Sequence, residues 1–130
     1  MSPRFLTVEE VIAMHDVQLV EFGGGSGIRD RGGLESAVAQ PQAGFGGQFL
    51  HRDLFEMAAA YAFHIAENQP FVDGNKRTAL VAASTFLDLN GFDLAESDDL
   101  YDAMIAISAR RLDKKGLADV FKRLSKPLSE

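Results

Sequence analysis

Residues 69–77 read Gln69-Pro70-Phe71-Val72-Asp73-Gly74-Asn75-Lys76-Arg77, and they separate two long apolar segments of the chain. The first segment spans residues 54–66 and the second spans residues 78–89. Each is long enough for three or more helical turns and too long for an ordinary strand. The pattern therefore predicts a buried helical hairpin with residues 69–77 as its loop.

This loop has the residue types of an anion-binding site. Gly74 permits a positive φ or the close approach of a ligand. Asn75 is a good N-cap, so the free N–H groups of the next turn lie at the positive end of the helix dipole. Lys76 and Arg77 add two positive charges, and Asp73 is a hard oxygen ligand suited to Mg²⁺. The loop is predicted to bind phosphate. The alternative is an ordinary helix start with solvated charges.

Residues 71–77 resemble the core motif of the Fic/Doc family, which reads His-x-Phe-x-Asp/Glu-Gly/Ala-Asn, then Gly or Lys, then Arg. Lys76 and Leu80 resemble the death-on-curing branch of that family, because the Fic adenylyltransferases have Gly and Arg at those two positions. The likeness extends to residues 23–30, 34–37, 45–47 and 86–91, and so spans most of the chain.

The resemblance implies a role for each position of the loop. The residues that would bind ATP through its phosphates are Gly74, Asn75, Lys76 and Arg77, with Asn75 either on phosphate or fixing the loop. Asp73 would hold Mg²⁺, and Asp73, Lys76 and Arg77 would share the catalytic site with Gln69. The family's catalytic histidine stands where this sequence has Gln69. A histidine titrates near working pH and accepts a proton, whereas the amide of Gln69 can orient a hydroxyl but cannot take up its proton.

The activity implied by the resemblance is that of a toxin from a toxin–antitoxin system. It would be a protein kinase that transfers the γ-phosphate of ATP to a hydroxyl of elongation factor Tu, which stops translation. Gln69 predicts a slow or inactive protein, because a positioned general base contributes about 10²–10⁴-fold. Gln69 is either a change that disarms a harmful enzyme or a feature of a natural pseudoenzyme. Two other functions stay open: Fic-type adenylyl transfer, and an inactive module that binds nucleotide or antitoxin.

Residues 42–48 are rich in glycine and lack helical periodicity. Phe45 and Phe49 flank Gly46-Gly47, which predicts a small hairpin turn on a mobile surface loop with two anchoring aromatic residues. In the family the matching segment resembles a flap that borders the active site and aligns an extended segment of the target protein, a case of recognition by strand addition. The motif of an internal inhibitory helix is absent. The resemblance therefore implies an antitoxin in trans that folds over the flap and the loop.

The rest of the chain predicts further helices. Thr7 and Glu10 form a capping box, and the helix that they open carries His15 on its apolar stripe as a packed histidine. His51 is predicted to lie on the surface, the charges of residues 110–115 to be solvated, and the tail from Pro127 to be frayed. Five or six helices around a buried hairpin, with a short hairpin-like insertion, indicate an all-α, compact helical bundle.

Composition bounds the class of protein. With 46% hydrophobic and 25% charged residues, the chain fits one folded domain over residues 1–130. The absence of cysteine suits a reducing cytoplasm. No signal-peptide core or membrane-spanning run is present. A net charge of -6 argues against direct binding of nucleic acid.

Overall fold

The computed structural model describes residues 2–128, which form six α-helices, two of them a central helical hairpin. The helices are α1 (Val8–Phe22), α2 (Arg31–Ala39), α3 (Leu54–Asn68), α4 (Asn75–Leu89), α5 (Asp98–Ser108) and α6 (Lys114–Leu124). Two antiparallel pairs of short strands complete the fold: β1 (Gly44–Phe45) with β2 (Gln48–Phe49), and β3 (Phe92–Leu94) with β4 (Ser125–Pro127). The prediction of an all-α bundle with a small hairpin insertion is confirmed.

The central hairpin consists of α3 and α4, as the two apolar segments predict. Small side chains allow the two helices and their neighbours to approach closely, and the fully buried ones are Ala58, Ala59, Ala60, Ala62, Ala79, Ala82 and Ala83. Helices α2 and α6 pack against α3, while α1 and β3 pack against α4. The largest fully buried side chains include Tyr61 and Phe86, whose ring centroids are 5.2 Å apart. Burying a large apolar side chain stabilises a fold by roughly 1.5–3 kcal/mol, so this hairpin is a stable platform for its loop.

Side-chain caps fix where α1 and α5 begin. The backbone N–H of Glu10 donates to Thr7 Oγ1 at 3.1 Å, and that of Thr7 donates to Glu10 Oε1 at 2.8 Å, which confirms the capping box. The hydrogen bond from Arg4 lowers the pKa of Glu10 to about 2. Ser97 caps α5 by accepting from the N–H of Asp99 at 3.1 Å. These caps set the starts of α1 and α5, the two helices that lie beside the hairpin loop.

Two predictions about the chain's surface and tail are wrong. Pro127 is not frayed, because it pairs with Phe92 in the second strand pair, and the next N–H along the chain, that of Leu128, donates to Gly91 O at 2.9 Å. The rest of the tail, residues 129–130, lies outside the described residues. His51 is not on the surface: only 5% of it is exposed, and burial lowers its pKa.

Lys114 is half-buried rather than solvated, as it lies at the start of α6 against α3. Its Nζ lies 3.1 Å from Nε2 of His64. Burial lowers the pKa of Lys114, and burial beside this ammonium and His51 lowers the pKa of His64 to about 4. Because an ammonium only donates, Nε2 of His64 accepts this hydrogen bond and the ring is neutral. No helix within residues 2–128 is long and apolar enough to cross a membrane.

Candidate functional site

A cavity of about 320 Å³ lies where α3 ends and α4 begins. Its lining residues are Gln69, Asp73, Gly74, Asn75, Lys76 and Arg77 from the hairpin loop, together with Ala66, Val72 and Tyr101. We call residues 69–77 the cradle loop and this space the cradle cavity. The structure thus brings together all six loop residues that the sequence predicts for the site. Tyr101 was missed, because it reaches the cavity from α5 and no local pattern marks it.

The backbone turn that opens the cradle loop into α4 is made by Gly74. This residue has φ 76° and ψ 21°, a left-handed conformation, and it is the N-cap of the helix. Asn75 is the first residue of α4, so the prediction that it caps the helix is wrong. Its side-chain amide turns back instead, accepting from Phe71 N and donating to Phe71 O, each at 3.0 Å. Asn75 therefore holds the loop closed on itself.

Several donors around the cradle cavity lack protein partners. No side chain within residues 2–128 caps α4, so the N–H groups of its first turn are available to a ligand. Nε of Arg77 is buried and has no hydrogen-bond partner in that same part of the chain. The guanidinium of Arg77 lies 5.0 Å from the centroid of the Phe22 ring, a cation–π contact that orients it. Since an unpaired buried donor is costly, this arrangement fits an anion.

The Asp73 carboxylate is exposed at the edge of the same cavity. Oδ1 accepts from Gly74 N at 2.8 Å, and Oδ2 lies 3.4 Å from Gly25 N. Gly24 lies beside this carboxylate with φ 118°, a conformation that residues with a Cβ rarely adopt, and a Cβ there would lie 2.8 Å from Oδ2. Within residues 2–128 no three His, Asp or Glu side chains gather closely enough to hold a metal. A cation at Asp73 would therefore take its remaining ligands from phosphates and water, as Mg²⁺ commonly does.

The segment before α2 holds the cradle loop in place. The Arg29 side chain donates to the carbonyls of Asn68 and Gln69, at 3.0 Å from Nη2 and 2.9 Å from Nε. The N–H groups of Arg29 and Asp30 donate to Pro70 O at 2.7 and 3.0 Å. Arg29 and Asp30 belong to the residues 23–30 over which the sequence resembles the family. They position the loop without lining the cavity.

His15 supports the loop from the opposite side. It is 2% exposed and stacks on Phe71, with ring centroids 3.9 Å apart and an angle of 6° between the planes. Its Nε2 lies 2.7 Å from Asp73 O. Because a carbonyl only accepts, Nε2 carries the proton. The prediction of a packed helix histidine is confirmed, and the structure adds a second role for it in fixing Asp73.

Gln69 ends α3 in an unusual backbone conformation. Its φ of 45° and ψ of 56° are left-handed, and its side chain is exposed beside the cradle cavity. Residues other than glycine are uncommon in this region, where Asn, Asp and His are enriched several-fold. The backbone at this position therefore suits a histidine better than a glutamine.

The flap predicted from Phe45, Gly46, Gly47 and Phe49 is a two-stranded hairpin over residues 44–49 that turns at Gly46 and Gly47, with φ of 61° and 83°. This confirms the predicted turn. Phe49 anchors it, because its ring centroid lies 5.5 Å from that of Phe5. Phe45 is 93% exposed, so the prediction of two anchors is wrong. The flap lines a separate cavity of about 300 Å³ and contributes no side chain to the cradle cavity.

The fold and the site together define a helical protein whose hairpin loop offers free helix N–H groups, two cations and a carboxylate, the groups that suit an anion and its counter-ion. The sequence model of the Fic/DOC family matches residues 5–87. Over 118 residues the chain is 42% identical to "Toxin Doc" of Mycolicibacterium smegmatis, covering 88% of each chain. Over 121 residues it is 35% identical to "Protein kinase doc" of Escherichia phage P1, covering 93% of this chain and 95% of the relative. The chain belongs to the Fic/DOC family, and both relatives carry the name of the branch that the motif resembles.

Proposed function

We propose that this protein is a Doc-type toxin that binds ATP and Mg²⁺ in the cradle cavity and whose phosphotransfer is impaired at Gln69. The observation that carries the proposal is the buried, unpaired Nε of Arg77 beside an uncapped helix N-terminus. Lys76 and Asp73 line the same cavity. The names of the relatives, a protein kinase and a toxin, support the choice of phosphate chemistry.

Positioning and electrostatic stabilisation are the main requirements of phosphoryl transfer. In this proposal Arg77 binds phosphate oxygens through its planar fork, Lys76 adds a point charge, and the first-turn N–H groups of α4 complete the cradle. Asp73 holds the cation. Asn75 and Arg29 keep the loop in one shape, so that little reorganisation is needed when charge develops. When bound, ATP supplies the transferable phosphate and Mg²⁺ offsets its negative charge.

Gln69 occupies the position at which the family motif has a histidine. Its amide can accept a hydrogen bond from an attacking hydroxyl but cannot take the proton away. The missing base should lower the rate by about 10²–10⁴-fold. Because the remaining loop residues form one intact cavity, we favour a disarmed enzyme over a decayed binding module.

The target and the partner are proposed from the resemblance. The acceptor hydroxyl would belong to elongation factor Tu in the cytoplasm, and the exposed edges of the flap would align an extended segment of it. The mycobacterial relative is named a toxin, which supports an antitoxin in trans. This antitoxin would fold over the flap and the cradle loop.

The decisive experiment is Gln69→His. It should raise phosphotransfer by about 10²–10⁴-fold and make expression toxic. Adding Asp73→Ala should abolish the gain. The matched control, Gln69→Ala, should change little, since a single hydrogen bond contributes roughly 0.5–1.5 kcal/mol.

Growth is compared at equal protein levels without antitoxin, and the modified target is weighed by mass spectrometry. A target that gains the mass of a phosphate supports the kinase proposal. A target that gains the mass of AMP would show adenylyl transfer instead. Equal growth of the parent and Gln69→His would refute the disarmed-toxin proposal.

A further inference from the structure

A separate cavity of about 210 Å³ lies between residues 50–56 and the first residues of α6. It shares no lining residue with the cradle cavity, and we call it the α6 pocket. Its volume is below the roughly 300–1,000 Å³ of pockets that take drug-sized ligands, so its occupant would be a small molecule or an ion. The lining residues are Leu50, His51, Arg52, Glu56, Lys114 and Lys115.

The charges around the α6 pocket are mostly positive, although the net charge of the protein is -6. Arg52, Lys114 and Lys115 line the pocket, and Glu56 is the carboxylate among the lining residues. Glu56 is already engaged by Arg52, whose backbone N–H donates to Oε1 at 2.8 Å and whose Nη2 lies 3.8 Å from Oε2. Neither lysine pairs with a carboxylate in the part of the chain that the structure describes. Two lysines thus line this pocket without a counter-ion.

His51 is a buried polar side chain on the wall of the same pocket. It is 5% exposed, and neither Nδ1 nor Nε2 has a hydrogen-bond partner within residues 2–128. Burial and then the Lys114 ammonium lower the pKa of the ring. The Glu56 carboxylate and the nearby Pro41 carbonyl, which does not reach hydrogen-bond geometry, offset this only in part. Because unpaired buried nitrogens are costly, an occupant that forms a hydrogen bond with His51 would stabilise the site.

Lys114 brings a positive charge to the first residue of α6. Its Nζ donates to Nε2 of His64 at 3.1 Å, and burial lowers its pKa. An ammonium carries three hydrogens, so this contact leaves others for an occupant. The N–H groups at the start of α6 lie at the positive end of the helix dipole, and the Asp113 side chain accepts from one of them, that of Gly116. The ammonium and the helix start therefore both favour an anion.

We propose that the α6 pocket binds a small tetrahedral dianion, namely free inorganic phosphate or sulfate. Lys114 and Lys115 bind the ion through their charge, and the ring of His51 donates a hydrogen bond to it. The ion links α6 to Leu50, the residue after the flap, which closes the hairpin by donating its N–H to Ala43 O at 2.9 Å. This inference is independent of the proposed function, because the two sites share no residue.

The test uses the three histidines of the chain as reporters. Sulfate is titrated into the parent protein, with chloride keeping the ionic strength constant, and the ring signals are followed by NMR. The signals of His51 and His64 should shift and saturate, because His51 lines the pocket and His64 contacts Lys114. The signal of His15, which packs under the cradle loop, reports any sulfate bound there.

The variants change one charge at a time. Lys114→Gln should weaken sulfate binding, measured at His51, by at least about tenfold. Lys115→Gln, at an exposed position, should weaken it by at least about threefold, and it provides the test if Lys114→Gln does not fold. The matched control is Lys122→Gln, an exposed residue roughly 12 Å farther along α6, which should change the affinity less than about twofold.

Each outcome either supports the α6 pocket or overturns it. A titration of His51 and His64 that does not saturate, or equal weakening by Lys114→Gln and Lys122→Gln, would overturn the proposal. Loss of the response in Arg77→Ala would also overturn it, by placing the ion in the cradle cavity. Tighter binding of methyl phosphate than of inorganic phosphate would show that the pocket receives part of a larger ligand and would overturn the free ion. Failure of the protein to bind ATP would refute the cradle alone.

Discussion

The cradle loop and the flap are both short turns that contain glycine, but the protein holds them in different ways. Hydrogen bonds from the His15 and Arg29 side chains hold the cradle loop from outside, and the Asn75 side chain holds it from within. The flap has its own two-residue pairing and one aromatic contact, that of Phe49 with Phe5. A site that stabilises developing charge needs fixed donors, whereas a surface that adds a strand from a partner can adapt to it.

The largest effect should come from releasing the cradle loop. Asn75→Ala removes both hydrogen bonds to Phe71 and leaves partly buried backbone groups unpaired, so we expect a loss of about 2–3 kcal/mol in the free energy of unfolding. The matched change in the flap, Gln48→Ala, removes an exposed side chain and should cost less than about 0.5 kcal/mol. Urea unfolding measures both. If Asn75→Ala and Gln48→Ala lowered the free energy of unfolding by similar amounts, the cradle loop would not be held more firmly than the flap.

Acid should act next most strongly on stability, through His64 of α3. His64 has a pKa of about 4 in the folded protein against 6.5 as its ordinary value. The unfolded chain therefore binds the extra proton first, and the stability from this group is complete above pH 6.5 and is lost as the pH falls toward 4. We expect about 1–2 kcal/mol after allowing for solvent screening of a half-buried group.

The control for this pH dependence is His64→Gln, which keeps an acceptor for Lys114 but does not titrate. The difference between parent and variant, measured by urea unfolding from pH 7 to 4.5, isolates His64 from other groups. Lys114 and His51 line a cavity with Leu50, the residue after the flap. Hydrogen exchange should therefore rise near the flap before it rises in the cradle loop. If the free energy of unfolding changed with pH equally in the parent and in His64→Gln, His64 would not be the source of the pH dependence.

The smallest effect on stability should come from Phe45→Ala at the tip of the flap. Because the side chain is 93% exposed, its loss should change the free energy of unfolding by less than about 0.5 kcal/mol. In a Gln69→His background the same change should lower modification of the target while leaving ATP affinity unchanged. Calorimetry and target phosphorylation separate the two. A fall in ATP affinity would show that the flap belongs to the nucleotide site.

The features that the sequence predicted correctly depend on residues that are neighbours in the chain. Apolar runs on both sides of the loop predict the hairpin, and Gly46-Gly47 predicts a turn, because both follow from local spacing and backbone freedom. The residues that line the cradle cavity were found for the same reason, since most of them are consecutive. The role of Asn75 was misjudged, because a good N-cap type does not reveal that the helix starts one residue earlier.

Contacts between distant segments could not be predicted in this way. Arg29 meets the carbonyl of Gln69 across forty residues of chain, and Tyr101 reaches the cradle cavity from α5, which is distant from the loop in the sequence. His51 is buried in the folded chain, where it lines a cavity together with Lys114 of α6, and nothing next to it in the sequence indicates that. Such positions require the assembled fold.

The left-handed backbone at Gln69 affects how easily a point mutation can introduce histidine at this position. A glutamine codon becomes a histidine codon through a change of its third base alone. Histidine is favoured in that conformation, and the exposed side chain at position 69 requires no repacking of its neighbours. Under the function proposed above, a single mutation with no structural obstacle would then separate a gene for this protein from a toxic allele. Any lineage or expression culture that carries the gene without an antitoxin should lose Gln69→His variants as soon as they arise.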